Sequence, residues 1–300
     1  MIPSSLVIEA ALILVLMGLS TEALTRGVES LEQALGQGMA AGVILGNVTA
    51  LPETLIVLTS VLEHKGEIAL GSAIGGNVVI FTLGLGLISV IYFLKWKGPI
   101  LMKGDYSQEL KVMGAASLVL ALGIVVGELN IIFTFLFFSI YIYYLVFRFR
   151  RSSRGKTNVK GVIQIIVGGS IIVVLSPIFV ESIVELSRST GLSETLIALI
   201  LTPVVAELGE GISSVRLATR YPGGGSAAVV SYFGSKIQNA TILLGLVGLD
   251  STTTKGPFLI LALVSNVIGI LVVKDGKLSY LEGIALCVLY FVLIWIAYVL

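Results

Sequence analysis

The sequence predicts an all-α polytopic membrane protein with ten transmembrane helices arranged as two inverted five-helix repeats. Its 300 residues are 56% hydrophobic and only 12% charged, roughly half the charged content of a typical soluble domain. Several almost uncharged runs of about 18 residues or more are long enough to cross the hydrocarbon core of a bilayer. Similar motifs recur in the same order in the two halves of the chain, which predicts the repeat.

Composition argues against several classes of function. The net charge of +1 gives no electrostatic basis for binding nucleic acid. Cys287 is the single cysteine, which excludes an internal disulfide and a multi-cysteine metal site. No H-E-x-x-H or G-x-S-x-G motif indicates an enzyme, and no cofactor is expected. The lipid bilayer is the expected partner, and the sequence carries no indication of oligomeric state.

Turn residues and charges divide the chain into ten predicted spans. The first apolar run, from Leu6 to Leu19, lacks a positive n-region and contains Glu9, so we expect a spanning helix and not a signal peptide. The predicted spans are 5–24, 39–62, 67–93, 109–126, 129–147, 161–186, 193–218, 226–248, 256–273 and 280–299.

A basic linker, residues 148–160, separates the first five-helix repeat (1–147) from the second (161–300). Placing this linker in the cytoplasm puts 15 of the 19 lysine and arginine residues on the same side and three on the other. Cytoplasmic loops of membrane proteins are enriched in these residues. We therefore expect a cytoplasmic linker, both termini outside the cell, and a protein of the plasma membrane.

Three glutamates lie deep within predicted spans. Glu53 is near the middle of the second span, Glu207 and Glu210 are near the middle of the seventh, and Pro52 and Pro203 stand close by. A charge at this depth costs about 2.5 kcal/mol or more, so such residues usually have a function. Proline frees a helix carbonyl, and carbonyl and carboxylate oxygens are the ligands that calcium prefers. The alternative is a set of protonated, hydrogen-bonded core glutamates.

Each acidic segment is followed by a span rich in small residues. In the first half A-L-P-E (50–53) precedes G-S-A-I-G-G-N (71–77), and in the second V-A-E-L-G-E (205–210) precedes V-S-Y-F-G-S-K (230–236). Small residues let helix backbones approach closely in lipid. Five spans per half would insert the two repeats with opposite orientation, an arrangement in which transport sites lie near the bilayer midplane.

These motifs resemble those of the calcium/cation antiporter superfamily, and the chain is similar to its sodium/calcium exchanger type. In that family each half carries an acidic P-E motif followed by a G-N-x-x-G-S-N-like motif; V-T-A-L-P-E (48–53) and G-S-A-I-G-G-N (71–77) stand at these places, in degraded form. The resemblance implies a secondary active antiporter that exchanges calcium for sodium by alternating access. The alternatives are a proton/calcium exchanger and, in a different class, a cation channel.

The resemblance also implies a set of ion ligands. Glu53 and Glu210 match the paired calcium-binding glutamates of the family. The other matching positions carry hydroxyl or amide groups: Thr49, Ser72, Asn77, Ser231, Ser235 and Asn239. The implied fold has two inverted five-helix halves, in which the first and sixth helices slide against the others.

Four positions depart from the family pattern. Ile80 replaces a polar ligand, and Asn239 replaces an aspartate of many sodium-coupled members. Glu207 adds a candidate metal ligand where serine or threonine is usual, and Lys236 replaces an asparagine. We expect the Lys236 ammonium to pair with Glu207 or Glu210 as a surrogate cation, which would favour proton coupling with Glu207 as the titrating group. Otherwise the lysine would extend to an interface.

Overall fold

The computed structural model describes residues 4–35, 48–103, 106–149, 159–250 and 256–300. Nearly all of this chain is helical, because a chain in lipid has to satisfy its backbone hydrogen bonds internally. The helices are α1 (Ser4–Leu35), α2 (Leu51–Leu62), α3 (Gly66–Val79), α4 (Leu85–Trp96), α5 (Ser107–Val126), α6 (Ile131–Phe149), α7 (Val159–Thr190), α8 (Glu194–Ala206), α9 (Leu208–Arg220), α10 (Gly224–Gln238), α11 (Leu244–Val247), α12 (Gly256–Lys274) and α13 (Tyr280–Val299).

Six helical stretches of the described chain are long and apolar enough to cross a membrane, and seven if the bent pair α8 and α9 is one span. The prediction of an all-α membrane protein is therefore confirmed, whereas ten spans and the inverted repeat stay predictions. α1 runs to Leu35, beyond the predicted end at residue 24. Part of the predicted second span and residues 150–158 of the linker lie outside the described residues.

The predicted seventh span is broken in the middle. α8 ends at Ala206, α9 begins at Leu208, and the two axes differ by 51°. Pro203 lies one turn before the break and cannot donate a backbone hydrogen bond. The Glu207 amide donates to the Pro203 carbonyl at 2.9 Å, so the chain stays hydrogen-bonded as it bends.

Glycines on α1 and α7 bring these two long helices into close contact. A Cβ atom built on Gly27 would lie 2.7 Å from the Gly161 carbonyl oxygen, and one built on Gly168 would lie 2.7 Å from the Ser20 carbonyl oxygen. Because residue numbers fall along one helix as they rise along the other, the pair is antiparallel. Small residues at a helix interface allow this separation.

α3 packs against α8 in the same manner. A Cβ on Gly75 would lie 2.7 Å from the Leu199 carbonyl oxygen, and one on Gly71 would overlap the Thr195 carbonyl oxygen. Here the residue numbers rise together, so α3 and α8 are parallel. The small-residue motif of the third span thus holds α3 beside the break between α8 and α9.

Three contacts gather the C-terminal ends of α4 and α9 and the segments that follow α4, α9 and α12 at one end of the molecule. Two short strands, β1 (Ile100–Leu101) and β2 (Lys277–Leu278), form an antiparallel pair. The Tyr92 hydroxyl donates to the Pro222 carbonyl at 2.7 Å, and the Trp96 indole donates to the Ala218 carbonyl at 3.1 Å. The charge distribution predicts that these three segments share one side of the membrane.

The exterior of several helices is apolar. Leu12 of α1, Val174 of α7 and Trp295 of α13 are 58%, 67% and 65% exposed, respectively. A helix whose outward face is apolar is typical of a membrane protein, in which that face contacts lipid. Polar side chains are instead buried between the helices, where the candidate site lies.

Candidate ion-binding site

Glu53 and Glu210 each lie in the first turn of a helix that begins within the predicted membrane region. Glu53 follows Pro52 at the start of α2, and Glu210 is the third residue of α9, just after the break. The N-terminus of a helix carries partial positive charge, which favours a carboxylate in its first turn. Both side chains are buried.

A π-helical segment interrupts each of the two helical stretches that follow these glutamates. One covers Ile80–Gly84 after α3, and the other covers Asn239–Leu243 after α10. In each segment the threonine donates to the carbonyl four residues earlier, Thr82 to Val78 and Thr241 to Ile237. Such segments are rare and are frequently found at functional sites. Ile80 and Asn239, two of the departures from the family pattern, begin them.

Lys236 lies among the three glutamates. Its Nζ donates to Glu207 Oε1 and lies 3.5 Å from Glu53 Oε2 and 4.0 Å from Glu210 Oε2. The lysine side chain is 1% exposed, so the alternative in which it extends to an interface is wrong. The structure places the ammonium against Glu207, one of its two expected partners, and a buried charge requires such partners. We refer to these four residues as the glutamate–lysine cluster.

Two of the residues that the sequence singled out bind directly to the cluster. The Ser235 hydroxyl donates to Glu210 Oε1, and the Asn239 amide donates to Glu53 Oε2, both at 2.6 Å. Gly76 leaves room for this arrangement, since a Cβ atom there would overlap Asn239 and the carboxylates of Glu53 and Glu207. The second and seventh predicted spans therefore meet at Gly76 of α3.

Ser72 and Asn77 make their hydrogen bonds to other helices. The Ser72 hydroxyl lies 2.8 Å from the Thr202 hydroxyl of α8. The Asn77 amide donates to the Asn266 side-chain oxygen of α12 at 2.7 Å. Sequence reasoning missed Asn266, although the signal is a lone amide in the apolar run L-A-L-V-S-N-V-I-G (261–269).

Thr49 and Ser231 are less buried than the other predicted ligands. Thr49 is half-buried in the helical turn just before α2. Ser231 is exposed on α10, four residues before the buried Ser235. Along a helix this separation is about 6 Å, which is enough to move a side chain away from a central site.

The three carboxylates surround an ammonium group and not a common metal position. Within the described chain, no three His, Cys, Asp or Glu side chains are placed to hold a metal ion. Among the buried side-chain oxygens that have no hydrogen-bond partner in the described chain, three belong to predicted ligands: Glu53 Oε1, Asn77 Oδ1 and Asn239 Oδ1. Such oxygens are costly to bury, and they are the type of ligand that a hard cation accepts.

Comparison with curated protein sequences finds no match, whereas several solved structures share the fold. The H+/Ca2+ exchanger CAX aligns over 98% of this chain and 85% of its own at 16% identity, with a TM-score of 0.80. Native YfkE aligns over 98% and 92% at 18% identity, with a TM-score of 0.75. The sodium–calcium exchanger NCX_Mj, soaked with Na+ and Ca2+, aligns over 98% and 99% at 20% identity, with a TM-score of 0.70.

The sequence itself matches a family across both halves. The model of the family described as "Sodium/calcium exchanger protein" matches residues 5–150 and 160–299, which together cover nearly the whole chain. The chain is therefore an integral membrane protein of the calcium/cation antiporter type and belongs to the sodium/calcium exchanger protein family.

Proposed function

We propose that this protein is a secondary active antiporter that exchanges calcium for a monovalent cation by alternating access at Glu53 and Glu210. One observation carries the proposal: two buried carboxylates, each in the first turn of a helix that begins inside the molecule, converge on one cluster. Interrupted helices of this kind form the ion sites of secondary transporters. Family membership supports the same function.

Calcium would bind between Glu53 and Glu210 with help from neutral oxygens. Calcium takes six to eight oxygen ligands, and Glu53 Oε1 and Asn239 Oδ1 are unpaired within the described chain. The Lys236 ammonium contacts Glu207 directly, whereas 3.5 Å and 4.0 Å separate it from Glu53 and Glu210. Binding of calcium would therefore displace the ammonium from those two carboxylates while Glu207 retains it. Ser72, Asn77 and Ser235 would complete the site.

The proposed architecture is the ten-helix inverted repeat, with halves at 1–147 and 161–300. The matching π-helical segments and the two first-turn glutamates support it. The antiparallel pair of α1 and α7 would be the sliding unit. The segments gathered beyond α4, α9 and α12 support one shared side, which we propose is cytoplasmic together with the 148–160 linker, in the plasma membrane.

Sodium is the counter-ion that the family description supports, and the proton is a second candidate. Lys236 favours the second, because its ammonium already occupies the centre of the cluster. A fixed positive charge there disfavours binding of several sodium ions by simple repulsion.

Uptake of calcium-45 into proteoliposomes under sodium, potassium or proton gradients tests the proposal and identifies the counter-ion. We expect uptake that needs one of these gradients, and at least a tenfold loss of uptake in Glu53→Gln and in Glu210→Gln. Glu9→Gln is the matched control, because it makes the same chemical change at an exposed residue of α1, outside the cluster.

Two results would contradict the proposal. Full uptake in both cluster variants would show that Glu53 and Glu210 do not bind the transported ion. Calcium flux with measurable conductance and no counter-flux would indicate a cation channel instead of an antiporter.

A further inference from the structure

Lys236 adds one positive charge to the three carboxylates of the glutamate–lysine cluster. With its three carboxylates ionised and its ammonium protonated, the cluster carries a net charge of minus two before a transported ion or proton binds. Within the described chain the ion pairs of Lys236 are with these three glutamates. Two further acidic residues of the described ranges are buried, Glu109 in the first turn of α5 and Asp250 after α11, and both lie at helix ends outside the cluster.

We infer that Lys236 acts as a tethered cation that fixes the exchange ratio at two monovalent cations for each calcium ion, so that transport is electroneutral. This inference rests on the proposed function. A charge without a partner at membrane depth is costly. The protein therefore changes its access from one side of the membrane to the other most readily when the cluster and its bound ions together have no net charge. One calcium ion or two monovalent cations neutralise a charge of minus two. Three carboxylates without the lysine would instead accommodate a third monovalent cation.

The position of Lys236 suits this role. Its direct contact with Glu207 holds the ammonium within the cluster, while the longer distances to Glu53 and Glu210 leave those carboxylates for the transported ion. An ammonium is a compact point charge on a flexible stem, so it can shift towards Glu207 when calcium enters. Lys236 is 1% exposed, which keeps its charge inside the site and out of bulk water.

The calcium gradient that the protein sustains at equilibrium tests the inference. In proteoliposomes with a tenfold gradient of the counter-ion identified above, we expect the wild-type protein to sustain about a hundredfold calcium gradient. With sodium or the proton as that counter-ion, a tenfold potassium gradient with valinomycin, imposed in either direction, should leave that value unchanged. If each cycle moved one net charge, the same potassium gradient would change the calcium gradient about tenfold, because the membrane potential acts on each charge that crosses.

Charge-changing variants assign the effect to Lys236. We expect Lys236→Asn, which leaves three carboxylates without a tethered cation, to sustain a calcium gradient that changes about tenfold with the potassium gradient. The double variant Glu207→Gln, Lys236→Asn returns the cluster to minus two, and its calcium gradient should again be independent of potential. Lys274→Asn is the matched control, because Lys274 is exposed at the end of α12.

Failure of the inference is distinct from failure of the proposed function. Exchange of calcium-45 for unlabelled calcium, with no counter-ion gradient, reports calcium transport alone. If this exchange occurs but the wild-type calcium gradient changes with potential, electroneutrality is overturned and the antiporter proposal stands. If the exchange is absent, the proposed function fails. If the calcium gradient sustained by Lys236→Asn does not change with membrane potential, the role of the lysine is overturned. The measurement on the wild-type protein decides electroneutrality even if the variants do not fold.

Discussion

The Lys236 ammonium donates to the Glu207 carboxylate in the interior of the protein, where the two side chains are 1% and 4% exposed. Neither residue fits the family pattern by itself, since one adds an acid and the other adds a base. Together they introduce no net charge, so the pair Glu53 and Glu210 keeps the charge that one calcium ion requires. The two departures are therefore best understood as one change.

This pairing predicts that the two residues depend on each other for stability. Lys236→Met should lower the free energy of unfolding by about 3 kcal/mol or more, because removing one member of a buried ion pair leaves the other charge without compensation. The double variant Glu207→Gln, Lys236→Met should lose less. Thermal unfolding in detergent, followed by loss of the monodisperse peak, measures both. A double variant no more stable than Lys236→Met would contradict the pairing, and Lys274→Met, at an exposed lysine, is the control.

A substitution at Gly76 should impair calcium transport but leave the fold nearly as stable as before. A Cβ at Gly76 would overlap Glu53, Glu207 and Asn239, whereas Gly71 and Gly75 make the contact between α3 and α8. Gly76→Ala should therefore reduce calcium-45 uptake at least tenfold while the thermal midpoint falls by only a few degrees, about 1 kcal/mol of stability. Gly114→Ala is the matched control, because no atom lies within 4 Å of its added Cβ. Normal uptake by Gly76→Ala would refute the packing at this residue.

Much of the fold follows from hydropathy and from the cost of charge in lipid. The apolar runs predict the membrane helices, Pro203 predicts the break that precedes Glu210, and the cost of a bare ammonium predicts that Lys236 pairs with a glutamate. α1 is longer than predicted because its polar end is held by ion pairs: Glu22 with Arg26 at 2.8 Å and with Arg216 of α9 at 2.9 Å. The latter contact joins residues far apart in the chain, which hydropathy does not report.

The details of the site depend on contacts between distant segments. The π-helical segments have no apolar periodicity of their own, and Ile80 and Asn239 share no chemistry that would mark them. The Asn77–Asn266 hydrogen bond joins residues 189 positions apart. Ser231 shares a helix face with Ser235 but lies farther along the axis. Residue type and spacing therefore predicted that the three glutamates and Lys236 lie deep, but not which of the neutral polar side chains contact them.

Asn266 is the position at which a distant contact predicts an effect on ion binding. Its side-chain oxygen accepts from the Asn77 amide at 2.7 Å, which leaves Asn77 Oδ1 without a partner among the described residues. Asn266→Ala removes the group that fixes the orientation of this amide, so we expect calcium to bind about tenfold more weakly, a loss of about 1.4 kcal/mol. Ser265→Ala is the matched control, since the Ser265 hydroxyl donates within α12 to the Ala262 carbonyl. Calcium-45 binding to detergent-solubilised protein measures Kd directly. If Asn266→Ala binds calcium as tightly as Ser265→Ala, Asn266 does not fix the orientation of Asn77. If Asn266→Ala alone binds calcium more weakly, and Asn266→Gln recovers part of the loss, the Asn266 amide acts by positioning Asn77.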